Sequence, residues 1–443
     1  MTDTATDWKQ TIGEKLTTPG EAVRVVKDGD RVVLGMMHLT PLQLCRALAD
    51  RHQELKDVTV DASLSAFVKW WPHGPESGLT LETFFLLDQD RPLFNRGELE
   101  YRIAPPYRDH ASRWTAFPID VFMTQVTPPD GDGWCSFGMS LWGARGAATE
   151  AKIVLAEVNP RQVRTGGENR IHIDEIAHFV ETAPEWRLLR PPTRNEEEEA
   201  VAQVICAVVA AELIEDGDTF QIGTGKVPAV LSVFLEDKHD LGVHTELIFG
   251  GIPQLVEAGV ITGKRKTLKP GVVVGSSFGQ LTEAERQLVA ARPETYELYE
   301  MAWTNDIATI AAHDNMVAVN NALLVDLTGQ VTGESIGPRL YSGTGGGFAF
   351  PAGAMHAKNG RSIMVLPSTA LIDGERRSRI LPVLPLGTIV TVPRHYADIF
   401  VTEHGIARLR DRTLRERVNE MIGIAHPDFR AELRREAQAA GLL

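Results

Sequence analysis

Short apolar runs closed by glycine, proline, asparagine or aspartate recur along this chain, separated by stretches in which apolar residues return at helical spacing. The first run is Arg31-Val32-Val33-Leu34, introduced by Asp28-Gly29-Asp30 and stopped by Gly35. A helix follows, opened at Thr40-Pro41 and carried through Cys45 and Leu48. A hydroxyl cap before a proline in the first turn is its start signal. The same grammar returns as Asp216-Gly217-Asp218, the strand Thr219-Phe220-Gln221-Ile222, Gly223, and a helix opened at Pro228 through Leu231 and Leu235. The copies stay in register from the strand to the glycine and slip by one residue at the proline. A repeat so widely spaced is no solenoid; it predicts a duplicated α/β half that begins with strand, glycine turn and helix. The alternative is an accidental match, because Asp-Gly-Asp is a common turn.

Between the copies, residues 119–126 read as a buried strand that ends in the turn cluster Thr127-Pro128-Pro129-Asp130-Gly131-Asp132-Gly133, and residues 153–158 as another, closed by Asn159-Pro160. From Ala66 to Tyr107 prolines and charges interrupt any periodicity, and no element is predicted. Pro191-Pro192 forbids continuous helix. The run Glu196-Glu197-Glu198-Glu199 then suits the first turn of an apolar helix through Val201, Val204, Ile205 and Val208. The expected division is therefore an N-terminal α/β domain over 1–190, a linker over 191–199 and a C-terminal α/β domain over 200–443. In the second half the predicted order is a strand at 271–274, a helix from Leu281 to Ala291, the run Met316 to Leu327, strands at 362–366 and 388–392, and helices after Arg412 and after His426-Pro427. Alternation of this kind predicts open sheets with helices on both faces, and ligands at the C-terminal ends of the strands.

Composition narrows the class. The chain has 443 residues, 43% hydrophobic and 23% charged, which is enough for two or three domains with cores. The opening Met1-Thr2-Asp3-Thr4-Ala5-Thr6-Asp7-Trp8 lacks a basic region and an apolar run, and no later stretch suits a bilayer span, so a soluble, cytoplasmic protein is expected. Cys45, Cys135 and Cys206 are far apart and read as buried small hydrophobes, with no disulfide framework or metal site implied. A net charge of -14 disfavours nucleic acid and anionic membrane as partners. It leaves an anionic small molecule open, since backbone N–H groups and a few cations can hold one.

The candidate chemistry sits in Gly242-Val243-His244-Thr245-Glu246-Leu247. Glu246 follows a short apolar run and should project beyond a strand end. A lone glutamate is usually a solvated surface charge. This one lies between two glycine clusters, Gly223-Thr224-Gly225-Lys226-Val227-Pro228 and Ser342-Gly343-Thr344-Gly345-Gly346-Gly347. A carboxylate with a reference pKa of ~4.3 is ionised at neutral pH and attacks without a general base. It needs partial desolvation, an electrophile held close, and donors for the oxyanion. Glycines at 223 and 225 allow an acyl group to approach the main chain. The first cluster is not a phosphate loop: Val227 replaces the required hydroxyl residue and the upstream glycine spacing fails. The second could contact a ligand or be a flexible turn.

Around these clusters run Gln125-Val126-Thr127-Pro128-Pro129-Asp130, Cys135-Ser136-Phe137-Gly138, Ala156-Glu157-Val158-Asn159-Pro160, Asn305-Asp306, Asn320, Val325-Asp326-Leu327-Thr328-Gly329-Gln330-Val331, Glu334-Ser335-Ile336-Gly337, Ser368-Thr369-Ala370, Ser378-Arg379-Ile380, Val401-Thr402-Glu403-His404-Gly405-Ile406-Ala407 and Ile424-Ala425-His426-Pro427-Asp428-Phe429-Arg430. In this order they resemble the class I coenzyme A transferases, in the acetyl-CoA hydrolase/transferase branch that includes the 4-hydroxybutyrate CoA-transferases. The resemblance implies two similar open α/β domains of the CoA-transferase fold, with the active site at their junction. It further implies transfer of CoA from an acyl-CoA to a free carboxylic acid by a ping-pong route through a glutamyl-CoA thioester. By its H-[ST]-E context the nucleophile falls on Glu246, the oxyanion turn on Gly223 and Gly225, and the CoA-contacting loop on Gly343, Gly345 and Gly346. No tightly bound cofactor is implied, CoA being substrate, and a homodimer or dimer of dimers is expected.

The sequence departs from the family pattern at Gly250, where an acidic residue is usual, and at Gly347, Ala349 and Ala352, where polar residues are expected. A larger or more hydrophobic acyl group fits these changes. Hydrolysis of the same intermediate, and a CoA-binding paralogue with diverted activity, are the alternatives. Two further motifs are discounted. Gly275-Ser276-Ser277-Phe278-Gly279 matches a serine nucleophile elbow but is little better than chance among 39 glycines. His172-Ile173-Asp174 with His178 lacks a third partner at metal-site spacing and reads as solvated or capping residues.

Overall fold

Why the first apolar run forms a strand is visible in its burial: Val32, Val33 and Leu34 are all inaccessible, as a parallel strand covered on both faces requires. The structure is a computed structural model that describes residues 8–65, 71–72, 74, 76–103, 118–183, 196–225 and 228–443. The expected linker residues 191–195, and Lys226 and Val227 of the first glycine turn, lie outside the described residues. The chain divides into two compact units. One comprises Met1–Arg190, Ser276–Gln280 and Val289–Trp303, and the other Pro191–Gly275, Leu281–Leu288 and Thr304–Leu443.

The first unit contains β1 (Arg31–Leu34), α1 (Leu42–Asp50), β2 (Val58–Asp61), β3 (Leu79–Thr83), β4 (Glu100–Tyr101), β5 (Val121–Val126), β6 (Ile153–Val158) and β7 (His178–Glu181). These seven strands form one parallel sheet, in the order β7-β6-β5-β1-β2-β3-β4. Strands β3 and β4 come from the stretch in which no element is predicted. Leu79 and Leu81 alternate with more exposed residues there, over too few positions to stand out from the flanking charges. At α1 the predicted cap is corrected. Pro41 occupies the cap position with no side-chain bond, and the Thr40 hydroxyl turns back to the Gly35 carbonyl at 3.3 Å. The helix start is satisfied from a neighbouring strand instead: Glu157 on β6, fully buried, accepts the N–H of Gln43 at 2.8 Å and that of Leu44. Burial pushes its carboxyl up to about 7 despite these donors.

The second unit contains α2 (Glu196–Leu213), β8 (Thr219–Ile222), α3 (Pro228–Leu231), β9 (Gly242–Val243), β10 (Met316–Asn321), α4 (Ala349–His356), β11 (Arg361–Val365), β12 (Ile399–Thr402), β13 (Gly405–Arg408), α5 (Leu414–Gly423) and α6 (Pro427–Ala439). The sheet order is β9-β8-β10-β11-β12-β13, parallel except for the last strand. The predicted strand at 388–392 is absent. Only Val392 forms a bridge, to Val331, and Ile389 and Val390 are 41% and 37% exposed. The hydroxyls of Thr388 and Thr391 accept the N–H groups of Gly337 and Gly333, both at 2.9 Å, so this segment braces a loop, and β12 takes the fifth place in the sheet. The helix at Pro228 is also shorter than expected, giving way to a 3-10 turn at Ser232–Phe234. No helix among the described residues is long and apolar enough to cross a membrane.

The predicted duplication is present to the level of single hydrogen bonds. In each unit the first strand lies between the next strand in sequence on one side and a later strand on the other, which creates a topological switch point. Gly35 donates to the Met123 carbonyl and Gly223 to the Val319 carbonyl, each at 2.8 Å. Register carries the match further: Arg31 faces Thr59 and Thr219 faces Gly242, so the first-unit counterpart of Glu246 is Ser63. The Ser63 hydroxyl is spent on Asp61 at 2.6 Å, which leaves the second unit as the copy bearing a carboxylate at this position.

Candidate active site

Beyond β9 the backbone is pinned on both sides. His244 donates its N–H to the Phe220 carbonyl at 3.2 Å and Thr245 to the Val274 carbonyl at 3.0 Å. Glu246 therefore leaves a rigid seat past the end of a strand, as the pattern of residues predicts. Its side chain is half-buried and held by two donors: the amide Nδ2 of Asn305 on Oε2, and the backbone N–H of Gly346. Burial raises the carboxyl above the ordinary carboxylate range, and the two hydrogen bonds oppose that rise. The result is a carboxylate stripped of part of its water yet kept ionisable by fixed dipoles.

The second glycine cluster and the carboxylate thus meet. The loop is built to hold that contact. Gly347 N–H donates to the Thr344 carbonyl at 2.9 Å, the Thr344 hydroxyl donates to Glu334 at 2.9 Å, and Thr391 donates to the other oxygen of Glu334 at 2.9 Å. The chain then enters α4. Gly345 has φ +49, in the left-handed region, and a Cβ on Gly346 would stand 2.8 Å from the Phe350 ring and 3.0 Å from Glu246 Oε2. Gly343 is buried at the loop's start.

The first cluster is tied to the same strand ends. The Thr245 hydroxyl lies 3.5 Å from the Ile222 carbonyl, next to Gly223. Gly223 uses its own N–H to close the sheet, and a Cβ there would fall 2.5 Å from Asn320 Oδ1. Gly225 has φ +144, and a Cβ there would fall 1.5 Å from Asn321 Nδ2, which donates to the Thr224 carbonyl at 2.8 Å. Both positions demand glycine because two asparagines of β10 fill the space behind them.

Ala349 and Ala352 are fully buried in α4, so these two departures alter the packing beneath the loop. The discounted motifs have structural roles. Ser277 donates to Ser140 Oγ at 3.0 Å and is fully buried, and His172 Nδ1 accepts the Asp174 N–H to cap a short 3-10 turn. The three cysteines are buried. Asn305 stands in the Asn305-Asp306 block of the sequence, which by itself gives it no role. An Asn-Asp pair ahead of a helix signals a cap, and Asp306 does cap residues 307–311, so Asn305 carried no signal of its own.

Two units with parallel sheets, one of them with a carboxylate at its switch point and a glycine loop laid against it, define a two-domain α/β protein of the CoA-transferase kind. Comparison with known proteins places it. Residues 2–186 match the acetyl-CoA hydrolase/transferase N-terminal domain and residues 287–437 the acetyl-CoA hydrolase/transferase C-terminal domain, and the chain belongs to this family. It is 37% identical to the 4-hydroxybutyrate coenzyme A transferase of Clostridium kluyveri over 97% of its length and 99% of the relative's. It is 33% identical to the succinyl-CoA:cyclohexane-1-carboxylate CoA transferase of Geobacter metallireducens over 96% of this chain and 95% of that one. Among solved structures, RipA from Yersinia pestis superposes with a TM-score of 0.88 at 32% identity, covering 99% of this chain and 100% of that one. An acetyl-CoA hydrolase of Saccharomyces cerevisiae matches over 27% of this chain and 22% of its own length, so the whole-length likeness is to CoA-transferases.

Proposed function

We propose that this enzyme moves coenzyme A from an acyl-CoA to a free carboxylate in two half-reactions that pass through a thioester on Glu246. The observation that carries this reading is the convergence of the Asn305 amide and the Gly346 N–H on the Glu246 carboxylate. Glu246 Oε1 attacks the thioester carbonyl, CoA leaves as thiolate, and a mixed anhydride of acyl group and glutamate forms. The thiolate then attacks the glutamyl carbonyl, the acyl group departs as carboxylate, and CoA remains on Glu246. An acceptor carboxylate reverses both steps. When the thiolate adds to the glutamyl carbonyl, the negative charge develops on the oxygen that Asn305 already holds, so the resting donors become an oxyanion hole without rearrangement. Each step exchanges one anion for another, and no bound cofactor or protein proton donor is called for.

The test is accumulation. Acyl-CoA supplied without acceptor should leave CoA on the protein, and borohydride or hydroxylamine treatment followed by peptide mass mapping should find a single modified glutamate at position 246. Modification at Ser277, or none, would refute the mechanism. Following thioester loss with and without an added carboxylate separates transfer from hydrolysis, since a hydrolase loses thioester at the same rate in both.

The loop over 343–347 is the proposed contact for CoA. Because Gly345 is left-handed, asparagine is the side chain that fits its backbone at least cost. Gly345→Asn should therefore keep the loop's path while placing atoms where the ligand lies, weakening CoA and acyl-CoA together by about tenfold or more. Calorimetric titration showing unaltered affinity would assign the loop to structure alone.

A further inference from the structure

The hydrogen bonds around Glu246 close into a ring that returns to its own segment two residues upstream. His244 is inaccessible, and its Nε2 lies 2.9 Å from the carbonyl oxygen of Thr304. A carbonyl only accepts, so the proton is on Nε2. The Thr304 hydroxyl donates to Asn305 Oδ1 at 3.1 Å, which orients that amide with Nδ2 toward Glu246. The same imidazole is 6.4 Å, centroid to centroid, from the Phe350 ring, against which Gly346 is packed. Behind it, 4.6 Å away, is His313, also inaccessible, with no hydrogen-bond partner for either ring nitrogen among the described residues. His313 acts there as an apolar wall.

We infer that His244 is a positioning residue for the nucleophile: as a neutral Nε2–H donor it fixes the Thr304-Asn305 peptide, and through it the Asn305 amide that holds Glu246. The inference rests on the reading of Glu246 as nucleophile. Burial, with Lys266 and His313 as the charged or titratable groups nearby, keeps both imidazoles well below their ordinary protonation range, so the ring remains a one-proton donor at working pH. Protonation would add a buried charge against Lys266 without improving the bond to Thr304. Geometry, not proton transfer, is its contribution.

Three variants test this. His244→Phe retains a ring and loses the donor, His244→Gln retains a donor of similar reach, and Thr304→Val keeps the carbonyl while releasing the Asn305 amide. His244→Phe should lower kcat for CoA exchange about 10- to 100-fold with the KM for acyl-CoA unchanged, the scale of a misplaced reacting atom. It should also move the acid limb of kcat/KM to higher pH, because the carboxylate loses a donor that favours its charged form. His244→Gln should recover most of both, and Thr304→Val should reproduce the shifted limb with the imidazole intact. Should the phenylalanine variant fail to fold, the other two carry the test. A folded His244→Phe enzyme with parent kcat and acid limb overturns the inference. So does a general loss without a shifted limb or rescue by glutamine, which marks a packing role. Trapping in the parent protein is run alongside: if no glutamyl-CoA forms there, the reading of Glu246 fails, whereas trapping with indifferent His244 variants sinks the positioning role alone.

Discussion

Glu246→Gln should abolish CoA exchange, lowering it by about 10^4-fold or more, the scale on which enzymes lose activity with their covalent nucleophile. An amide oxygen is a far poorer nucleophile than a carboxylate, and the substitution changes little else. Glutamine presents an oxygen of the same reach to Asn305 and Gly346, so the loop contact survives. It also removes a charge whose burial disfavours ionisation, and thermal stability should be equal to or above the parent's. Glu246→Asp keeps the charge but withdraws the attacking oxygen by about a bond length, which costs ~100-fold. The parent's pH profile follows from the same carboxyl. Its pKa is raised by burial, so activity falls, as pH is lowered, through a value above the ordinary ~4.3 rather than at it. Stopped assays of acyl-CoA with a carboxylate acceptor, with circular dichroism melts of each variant, check all three statements. Near-parent exchange in a folded Glu246→Gln protein would remove Glu246 from the chemistry.

The second large effect is expected at Gly346. An added methyl group would sit 2.8 Å from the ring of Phe350, itself fully buried, and 3.0 Å from the carboxylate. The ring cannot yield far, so the loop must, and its N–H leaves Glu246. Losing one oxyanion donor typically costs about 10²- to 10³-fold in kcat. Gly346→Ala should fall in that range, with its acid limb shifted upward as the carboxylate loses a hydrogen bond. Gly423→Ala, whose Cβ would enter open space at the end of α5, is the control and should leave turnover unchanged. Equal kcat in the two variants would show that the Gly346 contact has no part in catalysis.

A test at Gly225 must allow for what stands behind it. Valine there meets Asn321 at a clashing distance before it meets any ligand, so lost activity in Gly225→Val would report a displaced turn as readily as a blocked acyl group. Glycine at this position answers to two demands at once, a backbone angle and a neighbouring side chain. Neither can be told apart from ligand approach by reading the glycine alone.

Local patterns were sufficient where the physics is local. The strand-glycine-helix grammar, the buried runs at 153–158 and 316–321, and the helix after Arg412 follow from alternation, turn chemistry and hydrogen bonds spanning a few residues. So does the placement of Glu246 beyond a strand end. The nonlocal decisions were legible only in three dimensions. Residues 388–392 and 399–402 are equally apolar over a few positions, and what separated them was which of them paired with β11 inside the sheet and which had hydroxyls claimed by the loop at 333–337. Thr40 was a sound local cap displaced by a glutamate 117 residues away in sequence, once β6 packed beside the helix start. Asn305 had no signature because its partner lies 59 residues upstream. The sequence alone determined that the chain is built of two like halves and that Glu246 stands beyond a strand end between two glycine clusters. Tertiary structure decided which half keeps a carboxylate at the switch point and which donors hold it, because those hydrogen bonds join segments that only folding brings within reach.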